Sequence, residues 1–379
     1  SGSWDTSGAS SVLAAGTSTV TFTGTSATIT MSASQVFANL IITGTIAQAS
    51  PLTAASLTIA TGGLTKGTQP LTVRGDLTLA GGYLASTSGD VVISGNVDIS
   101  AASSYVAFGS EAWIVSGSWS NNSTSASWAH GSGTVTFNSS ASQTMTFAGS
   151  NLNGNEFNAV AFHSVSSTAT FTLAGRGLTA NTVTIQGGAG TTTLTTSGSN
   201  LPLSADTLIV ASGGALVANG STITLKNFDT SAGTFTANTS VVVVNMSGGI
   251  IRVPQALSSL TVNPGVTTSF ASNIAWSAVL TLTGSTATFA GNLNSVGSAA
   301  LLFTNATVAI AGSWNTSSAS GFTATGSSVT FTGSGQTVAT GAGQQFATLT
   351  ISGSIVLASN LAASSLAVGA SGTLTKTNY

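Results

Sequence analysis

A short phrase, Gly followed by a polar residue and then a large apolar one, recurs in this chain at nearly constant spacing. Gly75-Asp76-Leu77, Gly95-Asn96-Val97 and Gly117-Ser118-Trp119 start 20 and 22 residues apart, and Gly291-Asn292-Leu293 and Gly312-Ser313-Trp314 start 21 apart. A second phrase accompanies it as Ser56-Leu57-Thr58-Ile59, Thr182-Val183-Thr184-Ile185, Ser259-Leu260-Thr261-Val262 and Ser365-Leu366-Ala367-Val368. A period that short is too small for a domain. It suits a unit that buries its apolar face only against neighbouring copies of itself.

The runs between these phrases alternate. Residues 19–23 place Val20 and Phe22 on one side and threonines on the other, and 279–283 behave in the same way. Period 2 with β-branched residues reads as strand. Clusters of Gly, Asn and Ser interrupt the runs as turns would. No apolar stripe of period 3.6 persists, so no helix is predicted. The fold class that follows is all-β, a parallel β-solenoid (β-helix) with coils of about 20 residues, in which neighbouring coils supply the ladder bonds at about 4.8 Å. Tandem β-sandwich domains are the alternative, since they also need short alternating strands. A sandwich, however, gives no reason for the 20-residue subperiod.

A longer repeat overlies the short one. Gly-Ser-Trp at 2–4, 117–119 and 312–314 is followed about sixteen residues later by Val-Thr-Phe at 20–22, 135–137 and 329–331. An aromatic-x-x-aliphatic step comes next, from Phe37 to Leu40, Phe157 to Val160 and Phe346 to Leu349. This predicts one continuous solenoid over 1–379, with repeat starts near 2, 117 and 312. Its core comprises Trp4, Phe22, Phe37, Trp119, Phe137, Phe157, Trp314, Phe331 and Phe346. The tryptophans stand where Leu or Val stands in the sister phrases, which places them on the inward face rather than in a sugar-binding row.

Only 4% of the 379 residues are charged, against about 25% in ordinary soluble domains. Ser and Thr number 123, yet 42% of residues are hydrophobic, which is enough apolar matter to fold. Six Lys and Arg against eight Asp and Glu give no basic stripe for nucleic acid. No apolar run is long enough to span a bilayer as a helix. There is no Cys, so disulfides and thiolate chemistry are excluded. A surface made polar by hydroxyls and amides repels its own copies only weakly, and self-association is easy.

Candidate chemistry is sparse. Asp76, Asp90 and Asp98, with Arg74 adjacent, form the densest acid group, but position 76 aligns with Asn96 and Ser118 and reads as a turn ladder. His130 and His163 are the only histidines. No catalytic, metal or cofactor site is assigned, and the chain is read as not an enzyme. Eight Asn-x-Ser/Thr sequons offer possible N-glycosylation at Asn121, Asn122, Asn138, Asn219, Asn238, Asn245, Asn305 and Asn315, with the turn at 121–124 the best placed. Thr-x-Thr stretches at 19–23 and 191–193 raise ice binding. In the sequence, though, Thr falls on several phases and alternates with Ser and Ala.

The Gly-Ser-Trp, Val-Thr-Phe and Phe-x-x-Leu phrases resemble the low-charge Ser/Thr/Gly-rich β-solenoid repeats of prokaryotic (bacterial or archaeal) cell-surface filaments and adhesins. The resemblance implies extracellular or cell-surface display and self-association or adhesion. It transfers no catalytic residue. Neither end of the chain offers a helix, charges or Pro as a cap, and 361–376 repeat the pattern of 52–66. The expectation is therefore a structural subunit of an extracellular filament, sheath or surface layer, a homopolymer stacking head-to-tail with itself as partner. An adhesin-type rod that binds a host surface or glycans is the alternative. An ice-binding or polysaccharide-active β-helix ranks third.

Overall fold

The computed structural model describes residues 2–8, 13–32, 34–148, 156–196 and 198–376. They contain strands and turns and no helix. The chain divides into two compact units, Ser1–Leu201 and Pro202–Tyr379. Each is a parallel β-solenoid.

In the first unit, Trp4–Thr6, Thr25–Met31, Thr45–Gln48, Gly63–Gly67, Tyr83–Ser86 and Tyr105–Ala107 form one parallel sheet. The remaining strands of this unit stack in register in a second parallel sheet. One file runs Val20, Leu40, Leu57, Leu77, Val97, Trp119 and Met145. Leu57, Leu77 and Val97 follow at intervals of 20, so the sequence period is the coil. In the second unit Ile274–Trp276, Leu293–Ser295, Trp314–Thr316, Gln336–Thr340, Ser354–Leu357 and Thr373–Lys376 form one such sheet. The strand pairings described within each unit are parallel, which overturns the antiparallel sandwich alternative.

Strand alternation decides what is inside. Leu77 and Leu79 are fully buried while Thr78 between them is half-exposed. Each buried Leu or Val contributes roughly 1.5–3 kcal/mol, and the files repeat that gain at every coil.

The Gly-polar-apolar phrase has a specific structural cause. The Asp76 carboxylate Oδ1 accepts the backbone N–H of Asn96 at 2.7 Å, and Asn96 Oδ1 accepts that of Ser118 at 2.9 Å. Asn273, Asn292 and Ser313 repeat this ladder at 2.8 Å per step. Each polar turn residue thus satisfies a donor in the next coil, where a short turn leaves backbone groups without partners. The preceding glycines let the coils approach. A Cβ on Gly117 would lie 2.4 Å from the Gly95 carbonyl oxygen.

Candidate functional site

The longer repeat is an aromatic triad built three times. Trp119 lies 5.9 Å from Phe137 and 5.5 Å from Phe157, and those two phenylalanines are 6.1 Å apart. Trp4, Phe22 and Phe37 reproduce it at 6.2, 5.4 and 6.1 Å. Trp314, Phe331 and Phe346 do so at 6.2, 5.2 and 6.4 Å. Edge-to-face contacts dominate, the arrangement that ring quadrupoles favour. Eight of these nine side chains are buried and Trp4 is half-buried. The aromatics therefore form a core and not a sugar platform. An alanine sits in register beyond the third ring each time: Ala54 on Phe37, Ala180 on Phe157 and Ala363 on Phe346.

The third copy of this arrangement leads to an open edge. Ala363–Val368 pairs with Phe346–Ile351, and Thr373–Lys376 pairs with Ser354–Leu357; neither has a partner on its other side among the described residues. Leu366 lies over Leu349, Val368 over Ile351 and Leu374 over Ile355, so all three belong to the inward files. They are nonetheless 48%, 49% and 38% exposed. Their counterparts in the first unit, Leu57, Ile59 and Leu64, are fully buried. The cover there is Leu77, Leu79 and Leu84 of the following coil.

The same comparison extends to charge. Lys66 lies two residues beyond Leu64, hence inward, and is fully buried. Its ammonium donates to the carbonyl oxygens of Gln69 at 2.7 Å, Ser88 at 2.5 Å and Gly89. Burial pushes Lys66 below the ordinary lysine value, and the charges of Glu111 and Asp90 oppose that shift. Two of its three acceptors come from the following coil. Lys376, at the matching place in the open coil, is exposed.

Glu111 and Glu156 are also buried in the first unit. Glu156 receives Arg176 Nη2 at 2.8 Å, and its other carboxylate oxygen accepts from Asn121 Nδ2. Asn121 Oδ1 accepts the Ser123 N–H at 2.9 Å, and the Trp128 indole donates to the Glu156 carbonyl at 3.0 Å. Asn121 is 1% exposed, which corrects its reading as a well-placed glycan acceptor. The cause is parity: Trp119 points inward, so Asn121 does too. Of the other sequons, Asn238, Asn245, Asn305 and Asn315 are exposed, whereas Asn122, Asn138 and Asn219 are half-buried.

Asp76 and Asp98 stand on successive coils, and Asp90 precedes the strand Val91–Ile93 of the coil that carries Asp98. Asp76 bonds the next coil's turn and Asp98 lies in an outward file between Thr78 and Ser120. His130 bonds the Gly131 carbonyl at 2.9 Å, and His163 meets Asn138 Oδ1 at 2.8 Å. The sequence reading missed Lys66, Glu111 and Glu156 as interior charges. For Lys66 the signal was available, because alternation from Leu64 puts it inside. No protein-family model, curated protein or solved structure matches this chain.

Proposed function

We propose that the chain is a structural subunit that assembles head-to-tail, the open coil at 363–376 being covered by a coil of the next copy. The observation that supports this most is the exposure of Leu366, Val368 and Leu374 on inward files, beside two parallel strand edges that have no partner among the described residues. The first unit supplies the matching kind of edge. Among the described residues, Trp4–Thr6 pairs only with Thr25–Met31, and Thr19–Phe22 only with Phe37–Ile42. Edges of a parallel ladder are complementary in direction, so contact between them is heterologous and propagates into an open polymer. Covering three half-exposed aliphatic side chains supplies about 1 kcal/mol each, in addition to the ladder bonds gained along both strands.

The setting that suits such a subunit is a filament, sheath or surface layer outside the cell. A cysteine-free chain with a hydroxyl-rich, nearly uncharged surface needs no reducing compartment and packs against its own copies without strong repulsion. Size-exclusion chromatography and negative-stain microscopy of the purified chain test the reading. Concentration-dependent polymers are expected, and Leu366→Lys combined with Leu374→Lys abolishes them. A monomer that persists at high concentration overturns it and favours the adhesin-type rod.

A further inference from the structure

In the second unit the strands Thr267–Phe270, Thr286–Phe289, Thr307–Ile310, Ser328–Phe331, Phe346–Ile351 and Ala363–Val368 stack in unbroken parallel register. One outward file reads Thr267, Thr286, Thr307, Ser328, Thr348 and Ser365. The file two residues further along reads Ser269, Thr288, Ala309, Thr330, Thr350 and Ala367. The residues between the files point inward. Ten of these twelve outward positions carry a hydroxyl, and the other two carry a methyl. The spacing is about 4.8 Å along the stack and about 6.6 Å along each strand, the fixed dimensions of a parallel ladder.

Three observations set this face apart from an ordinary solvated sheet. First, none of the ten hydroxyls has a hydrogen-bond partner among the described residues, so their bonding capacity is directed outward. Second, the sequence from 253 to 375 contains no Asp, Glu, Lys, Arg or His. Ordinary strand faces carry charged side chains that keep sheets apart and hold their own hydration. Third, the aromatics of these strands, Phe270, Phe289, Phe331 and Phe346, are all buried. Recognition of a crystalline polysaccharide would call for exposed rings to stack against the sugars, and this face presents none.

What remains is a two-dimensional array of hydroxyls and methyls set out by the ladder register, without charge. Such a grid complements a surface that is itself periodic and uncharged. A hydroxyl at each node can hold a water molecule, and neighbouring nodes hold theirs at repeating positions. Liquid water does not reward that order, whereas a growing crystal face does. We propose that this face of the second unit binds ice, with the Thr, Ser and Ala of the two files as the contact. The inference does not depend on end-to-end assembly, because the grid lies along the coils and not across their open edge.

Partition of the full chain into slowly grown ice, with inhibition of ice recrystallisation as a second readout, tests this. The wild-type protein is expected to be enriched in the ice fraction and to slow grain growth. Thr288→Lys with Thr330→Lys places two ammonium groups on the grid, and these resist losing their hydration. Both effects are expected to fall by about tenfold or more for that reason, while the circular dichroism spectrum and melting temperature stay as in the wild type. Exclusion of the wild-type chain from ice overturns the proposal. So does equal incorporation of the double variant, or binding to microcrystalline cellulose or chitin without enrichment in ice.

Discussion

Leu366 lies in register over Leu349 just as Leu57 lies over Leu40, yet Leu57 is fully buried and Leu366 is 48% exposed. The two leucines differ only in what comes next. Leu57 is followed in the stack by Leu77, and Leu366 by nothing among the described residues. The chain thus contains its own control for a covered coil edge. Lys66 and Lys376 make the same comparison in polar form.

The aromatic triad sets a first expectation. Trp119 and Phe157 fill the centre of the second copy, so Trp119→Ala or Phe157→Ala costs about 3–5 kcal/mol, the range for emptying an aromatic core site. Ala180→Leu, which inserts bulk against Phe157, costs about 1–3 kcal/mol. Chemical denaturation checks both. An effect under 1 kcal/mol for Trp119→Ala would contradict the packing described.

Asn121 gives a second. Its amide donates to the buried Glu156 carboxylate. Asn121→Asp changes almost nothing in shape but replaces that donor with a second acid beside the buried Glu156 carboxylate. The loss should be about 3–5 kcal/mol, the scale for an uncompensated buried charge. Asn121→Ala is milder, and Asn245→Asp on the exposed surface should leave the melting temperature unchanged.

A pH dependence follows from Lys66. Burial lowers it below its ordinary value of 10.5, so between the lowered folded value and 10.5 the unfolded chain holds more protons. Stability from this group therefore rises with pH across that window. The cost of burying the ammonium is fully present below the folded value and is relieved as pH increases. Urea denaturation of the wild type and of Lys66→Met should show the wild type gaining on the variant as pH is raised into the alkaline range. At neutral pH, Lys66→Met should cost about 1–3 kcal/mol, because the Gln69, Ser88 and Gly89 carbonyls lose their donor. A wild type that loses ground with rising pH would contradict the assignment.

Much of the fold was legible because the signal is repeated. Gly-Asp-Leu, Gly-Asn-Val and Gly-Ser-Trp mark the same turn in successive coils, and that turn is held by a side chain reaching one coil ahead. Trp119 was placed inward by its alignment with Val97, with which it is in register. Asn121 was misread because a sequon is a local pattern, whereas burial follows from counting two residues on from Trp119. The hydroxyl grid was hidden for another reason. The steps from Thr267 to Thr286, Thr307, Ser328, Thr348 and Ser365 are 19, 21, 21, 20 and 17 residues, and only the register reveals them as one file. The match of 361–376 to 52–66 suggests the open edge, whereas the exposure of Leu366, Val368 and Leu374 follows from the stacking of the coils.

Hydrogen exchange across residues 361–376, followed as a function of protein concentration, tests the assembly most directly. If coils of neighbouring copies cover this edge, its amides become protected as concentration rises, approaching the protection of residues 52–66, while exchange elsewhere in the second unit stays constant. Fast exchange at 361–376 that does not change with concentration would contradict head-to-tail stacking.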